Sequence, residues 1–153
     1  MAHKTRPCLW FEKDGLEAAK FYCSLLPNSH VEAKDWPGEP EPIIVNFTLA
    51  GTPYQILNGG PHYKLSPAAS ISVITQDQAE TDQLWDALTS DGGEESMCGW
   101  LTDRWGVSWQ IVPKALIEMQ TAEDHVAAER TRQAMYAMKK IDIAALETAF
   151  NAA

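Results

Sequence analysis

Short apolar runs alternate with stretches in which apolar residues recur at helical spacing, and this pattern appears twice along the chain. In the first half it predicts a strand, a helix and three strands at 8–11, 16–26, 29–36, 43–49 and 52–57. In the second half it predicts the same order at 69–74, 78–89, 94–97, 100–104 and 107–112. The sequence therefore predicts two modules, each with the order strand, helix, strand, strand, strand.

A sequence repeat supports this division. Residues 51–57 (GTPYQIL) and 106–112 (GVSWQIV) share one pattern: a glycine, any two residues, an aromatic residue, Gln, Ile and an aliphatic residue. Two modules related by a pseudo-twofold would place Gln55 and Gln110 at equivalent points of one cavity. We predict an α+β fold in which paired βαβββ modules, about 5–58 and 68–113, form one cup-shaped domain over 1–113.

The segment 114–153 has a different composition. It contains no Gly and no Pro and is rich in Ala, Met, Glu and Lys. These residues favour helices, with breaks expected near Thr121 and Ile141. We predict a helical C-terminal extension.

Strand alternation sorts the side chains between two faces. Val107, Trp109 and Ile111 share a face suited to packing beneath a helix, and Gln110 lies on the opposite face. Applied to all strands, this alternation predicts a cavity with a polar floor. Its predicted lining is Cys8, Trp10, Gln55, Ser70, Ser72, Ser108 and Gln110.

Three further residues join the predicted ligand-binding set. Asn58 and His62 belong to the Gly- and Pro-rich loop 58–67, which should run by the mouth of the cavity, and Trp100 is a candidate wall for an apolar ligand. Structural roles remain alternatives. A half-buried Gln often satisfies backbone groups, a Trp often fills a core or a dimer contact, and a loop His is often only solvated.

Composition narrows the function classes. A net charge of −9 without a basic stripe argues against a nucleic-acid partner, and no apolar run approaches the roughly 20 residues of a membrane span. Three cysteines without metal-type spacing predict reduced thiols and a cytoplasmic location. Cys98 has no histidine near it in sequence, so a structural role is favoured. Asp103 and Arg104 are interpreted as a solvated hairpin pair.

These residues resemble the PhnB-like branch of the vicinal-oxygen-chelate superfamily, which includes glyoxalase I, extradiol dioxygenases and bleomycin-resistance proteins. The branch is often labelled after a demethylubiquinone methyltransferase. The segments that carry the match are 7–11, 17–22, 57–61, 85–88, 98–103, 109–113 and 139–146. The resemblance implies a cup of paired βαβββ modules. It also implies a homodimer, since members commonly complete their sheet edges across a two-fold axis.

The resemblance also locates possible metal ligands. Metal-dependent members take one ligand from each of four strands, and Gln55 and Gln110 stand where two of those strands carry a carboxylate. The opening-strand positions fall near Cys8 and Ser70, and no histidine is expected on a cavity-facing strand position. Neutral amides and a hydroxyl supply no charge to offset the desolvation of a cation. We therefore predict no bound metal and no cofactor.

The sequence leaves the reaction open. A protein that holds a small organic ligand without a catalytic metal is the favoured interpretation. A glyoxalase- or dioxygenase-type metal enzyme is the alternative, and the methyltransferase of the family label is a further one. A methyl-donor site typically uses a Gly-rich strand-to-helix turn, whereas Gly59-Gly60 precedes a proline and Gly92-Gly93 ends a helix.

Overall fold

The structure is a computed structural model that describes residues 3–32 and 41–153. It divides into two compact units, Met1–Leu65 and Ser66–Ala153. The last part of the predicted strand 29–36, from residue 33 onward, lies outside the described residues, as does most of the Pro-rich segment 37–42.

The first unit is one βαβββ module. Its elements are β1 (Cys8–Phe11), α1 (Gly15–Leu25), β2 (His30–Val31), β3 (Ile44–Leu49) and β4 (Thr52–Asn58). The sheet order is β1-β4-β3-β2, with β1 parallel to β4 and the other pairs antiparallel. Helix α1 covers one face, where Tyr22, Phe47 and Ile56 are fully buried.

The second unit contains the same module. Its elements are β5 (Ser70–Thr75), α2 (Gln78–Thr89), β6 (Glu94–Glu95), β7 (Trp100–Thr102) and β8 (Ser108–Pro113). The sheet order β5-β8-β7-β6 repeats that of the first unit, again with a parallel pair at one edge. Trp85, Trp109 and Ile111 form the core beneath α2. The predicted α+β class and the paired βαβββ modules are confirmed.

Strand β6 is shorter than the predicted strand 94–97 because the chain turns before β7. Cys98 and Gly99 have φ angles of 58° and 82°, in the left-handed region that strand residues do not adopt. A Cβ on Gly99 would lie 2.9 Å from the Ile111 carbonyl oxygen, so this turn is packed closely against β8.

The turn between β7 and β8 is held by a buried carboxylate. Asp103 is 3% exposed and accepts hydrogen bonds from Trp105 N–H at 2.9 Å, Val107 N–H at 3.0 Å and Trp109 Nε1–H at 2.9 Å. The interpretation of Asp103 as a solvated residue is therefore wrong. Arg104 instead pairs with the exposed Asp91 at 3.2 Å.

The C-terminal extension forms three helices: α3 (Lys114–Gln120), α4 (His125–Tyr136) and α5 (Ile143–Phe150). The predicted breaks near Thr121 and Ile141 are confirmed. Leu116, Met119 and Leu146 form a second core cluster with Ile141, and Val112 of β8 packs against it. The extension is thereby part of the second unit.

Polar contacts attach this extension to the module. Gln78, the first residue of α2, donates through Nε2 to the Ile141 carbonyl at 3.0 Å and accepts the Ile143 N–H through Oε1 at 2.8 Å. Lys140 pairs with Asp82 of α2 at 2.9 Å. One glutamine side chain thus pairs with a backbone carbonyl and a backbone N–H at the start of α5.

Candidate functional site

On the first sheet, Cys8, Trp10 and Gln55 occupy the face opposite α1. The strand register places Cys8, Gln55 and Asn46 side by side across β1, β4 and β3. Gln55 Nε2 donates to Asn46 Oδ1 at 2.9 Å. The amide predicted to contact a ligand is therefore already paired with a second amide.

An ion pair also lies on this face, and it was not predicted from the sequence. Glu32 accepts a hydrogen bond from Thr48 Oγ1 at 3.4 Å, and Thr48 shares the face of Gln55. Arg6, just before β1, reaches Glu32 at 3.2 Å and also donates to the Tyr54 carbonyl at 3.1 Å. Arg6 and Glu32 therefore connect opposite edges of the sheet, and their charges neutralise each other. No local pattern links residues 26 positions apart.

Trp10 is held by the loop that follows β4. Its indole N–H donates to the Gly60 carbonyl at 2.9 Å, and the Tyr63 ring meets it edge-on with centroids 4.9 Å apart. A Cβ on Gly59 would lie 2.3 Å from the Trp10 ring. The indole packs directly against this loop, so its polar group is not available to a ligand.

The two histidines near this face are both exposed. His62 lies in the loop after β4, as expected. His30 pairs with Thr48 in the β2–β3 ladder and therefore points to the face of Gln55. The prediction that no histidine occupies such a strand position is wrong for His30, which lies on the edge strand.

Asn58 lies on the other face of the sheet and is separated from the remaining predicted residues. Its Oδ1 accepts the Gly15 N–H at 2.9 Å, at the first turn of α1, and its Nδ2 donates to Glu41 Oε1 and to the Pro42 carbonyl. A Cβ on Gly15 would lie 2.4 Å from Ile56 Cγ2, so the helix starts in close contact with the sheet. These contacts give Asn58 a structural role as a helix cap.

On the second sheet, the corresponding row is Ser72, Gln110 and Trp100 across β5, β8 and β7. Ser72, and not Ser70, is therefore the counterpart of Cys8. The row beside it contains Ser70, Ser108 and Thr102, and Gln110 Nε2 donates to Ser70 Oγ at 3.0 Å. The structure thus brings together five predicted residues of the second half on one face: Ser70, Ser72, Trp100, Ser108 and Gln110.

Ser108 differs from its neighbours in being buried without a partner. It is 2% exposed, and among the described residues its Oγ has no hydrogen-bond partner. A buried, unpaired hydroxyl costs about 1–3 kcal/mol of stability. Such a group calls for a specific explanation.

The donor groups in these rows do not fit a divalent metal. Gln55 and Gln110 are neutral. Desolvation by the surrounding protein raises the pKa of the Cys8 thiol. The raised pKa disfavours the thiolate form, which binding a metal or attacking an electrophile would require. Within residues 3–32 and 41–153, no group of three or more His, Cys, Asp or Glu side chains is arranged to hold an ion.

A cleft of about 430 Å³ lies at the junction of the second module and its helical extension. Its walls include Gln78 and Ala115 together with the acidic Asp77, Asp142 and Glu147. None of the predicted ligand-binding residues lines it. Asp77 and Asp142 cap the starts of α2 and α5, which accounts for two of these carboxylates.

Comparison with known proteins identifies the family. Residues 3–112 match the model of the family described as 3-demethylubiquinone-9 3-methyltransferase. The chain belongs to this family. This match agrees with the PhnB-like resemblance predicted from the sequence. The family match ends before α3 begins, so the helical extension lies beyond it.

Solved structures agree with this assignment. A PhnB protein from Bacillus cereus, which carries the same methyltransferase label, is 29% identical, with a TM-score of 0.63 over 72% of this chain and 99% of that one. A glyoxalase/bleomycin resistance protein from Albidiferax ferrireducens (13% identical, TM-score 0.53, 71% and 96% covered) has the same fold. So does the fosfomycin resistance protein FosX from Listeria monocytogenes (14%, 0.52, 77% and 98%). No curated protein matches the chain.

Of the described helices, none combines the length and the apolar character needed to cross a membrane.

Proposed function

We propose that this PhnB-like protein binds a small organic ligand through the polar faces of its two sheets, without a catalytic metal. The observation that supports this proposal is the matched placement of Gln55 and Gln110. Each lies on the central parallel-paired strand of its sheet, in the same row of the register, on the face opposite the module's helix. The amide nitrogen of each glutamine donates to Asn46 or Ser70, and among the described residues nothing donates to either amide oxygen, so a ligand can do so.

Native mass spectrometry of freshly purified protein tests the proposal directly. A retained mass that is lost on mild denaturation, and reduced in Gln55→Leu and Gln110→Leu variants, is the expected result. Gln83→Leu is the matched control, because Gln83 is an exposed glutamine on α2. If neither polar-face variant changes the retained mass, the polar faces are not the binding surface.

The metal-dependent alternative makes a different prediction. Calorimetry with nickel, zinc and manganese is expected to show no stoichiometric binding to the wild-type protein, since the rows contain no imidazole or carboxylate ligand set. Gln110→Glu adds one carboxylate at the position where metal-dependent members carry one. Affinity gained by this variant would show that the backbone geometry is retained and only the ligands differ. Stoichiometric binding by the wild type would contradict the proposal.

The family label gives no separate support for methyl transfer. Gly59 packs against Trp10, and Gly92 ends a single turn of 3₁₀ helix after α2, so neither glycine pair opens a helix onto a phosphate or a ribose. Equilibrium dialysis with labelled S-adenosylmethionine is expected to show no micromolar binding. Binding in that range would favour the label.

A homodimer and a cytoplasmic location are part of the same proposal. Strands β1 and β5 each pair on one side within their own sheet, which leaves edges that a second copy can cover. Gel filtration is expected to give about twice the 17.0 kDa mass of one chain. A monomer mass would count against the dimer and leave the ligand proposal untouched.

A further inference from the structure

The polar face of the second sheet has hydrogen-bonding capacity that its own residues do not use. Ser70 Oγ receives the amide of Gln110, so the Ser70 hydroxyl proton remains to be donated. Ser108 lies next to Ser70 across β5 and β8, and its hydroxyl has no partner among the described residues. Gln110 Oε1 likewise accepts no hydrogen bond in the part of the chain that the structure describes. The cluster therefore offers two donors and one acceptor.

The polar face of the second sheet also has a particular distribution of charge. The strand residues that share it, from Ser70 on β5 to Thr102 on β7, are neutral. The register also places Glu94 of β6 beside Thr102, so the charged strand residue on this face is an acid at its far edge. Transferring an anion onto a surface without a cation is costly, and a nearby carboxylate raises that cost. The first sheet differs, because Arg6 lies on its polar face.

We propose that Ser70 and Ser108 form a donor pair for an oxygen acceptor of an uncharged ligand, such as an amide or ketone carbonyl, while Gln110 Oε1 accepts a donor from the same ligand. The inference rests on the proposed function and deepens it, since it names the ligand class as neutral and not anionic. Ser70 is half-buried and is the accessible member of the pair. Ser108 is its buried register partner on β8, and the proposed complex requires the Ser108 hydroxyl to turn towards the ligand.

Benzamide and benzoate are a suitable probe pair because they have nearly the same shape and differ in charge. Each is titrated into ¹⁵N-labelled full-length protein while the backbone amide signals of residues 70, 108 and 110 are followed. Benzamide is expected to shift these signals, and benzoate to bind about tenfold more weakly or worse, because its charge must be desolvated without a cationic partner.

Substitutions then assign the effect to the hydroxyl. Ser108→Ala is expected to weaken benzamide binding about two- to tenfold, the value of one neutral hydrogen bond. Ser96→Ala is the matched control, because Ser96 is an exposed serine of the same unit with no side-chain hydrogen bond in the described structure. Unchanged benzamide affinity in Ser108→Ala would overturn the inference.

Two other outcomes separate this inference from the proposed function. Benzoate binding as tightly as benzamide at these residues would overturn the neutral-ligand inference and leave ligand binding on the polar face intact. No shift at residues 70, 108 and 110 with either probe would overturn the donor pair. Native mass spectrometry would then decide the proposed function by itself.

Discussion

Replacing Ser108 with alanine should stabilise the protein against unfolding, although the change removes a polar group from the interior. Ser108 is 2% exposed and its Oγ is unpaired within the described residues. Relief of that unpaired hydroxyl contributes about 1–3 kcal/mol. Losing one oxygen leaves a void on the order of 10 Å³, which costs about 0.2 kcal/mol at roughly 24 cal/mol per Å³. The free energy of unfolding should therefore rise by about 1–3 kcal/mol, since the cavity cost is small beside the relief of the hydroxyl.

Urea denaturation and thermal unfolding provide the measurement. For a chain of this size, each kcal/mol corresponds to about 2–4 °C in Tm. Ser96→Ala, at an exposed position, should change the free energy of unfolding by less than about 0.5 kcal/mol. A loss of about 1 kcal/mol or more in Ser108→Ala would refute the reasoning, because it would mean that the hydroxyl has a partner in the free protein. A gain in stability together with weaker benzamide binding would mark Ser108 as a residue kept for function.

Three further predictions concern the fold around the site. Asp103→Asn should lower the free energy of unfolding by roughly 2–4 kcal/mol, because an amide N–H would then face backbone or indole N–H donors. Chemical denaturation measures this loss, with Asp86→Asn, at an exposed position, as the control. Equal losses in the two variants would contradict the prediction. Gln78→Ala should cost about 1–2 kcal/mol and increase hydrogen exchange at 141–146, with no such increase in Gln83→Ala. The Gln78 amide and then Lys140 lower the pKa of Asp82, so its contribution is complete above the unfolded pKa and is lost as pH falls through the lowered value. Asp82→Asn should therefore lower the free energy of unfolding near about pH 6 and leave it unchanged near about pH 2, and the loss should be small because the pair is exposed. A difference between variant and wild type that does not depend on pH would exclude the pairing.

Much of the module architecture follows from local patterns. The order of strands and helices and the position of the repeat were predictable because they depend on apolar spacing within a few residues. The division of faces was predictable for the same reason. Trp109 and Ile111 lie beneath α2 as the alternation indicated, and Gln110 lies opposite. Even the breaks in the C-terminal helices follow from local composition and capping residues.

The predicted site was less accessible to sequence reasoning. The alternation could assign Ser70 and Ser72 to one face, but only the β5–β8 register shows that Ser72 is beside Gln110 and Ser70 beside Ser108. Asn58 is the last residue of β4 and lies on the face opposite Gln55, where its side chain caps α1. The sequence contained a signal for this: Gln55 and Asn58 are three positions apart on one strand, and an odd spacing places two side chains on opposite faces.

The sequence by itself determined two βαβββ modules, a polar and an apolar face on each sheet, and a helical extension, since these depend on periodicity and composition. The tertiary structure alone decided which polar groups pair with one another. Arg6 with Glu32, Gln78 with the backbone of Ile141, and Gln110 with Ser70 are 26, 63 and 40 residues apart. The pairing of such distant groups depends on strand register and loop path, which no local pattern specifies.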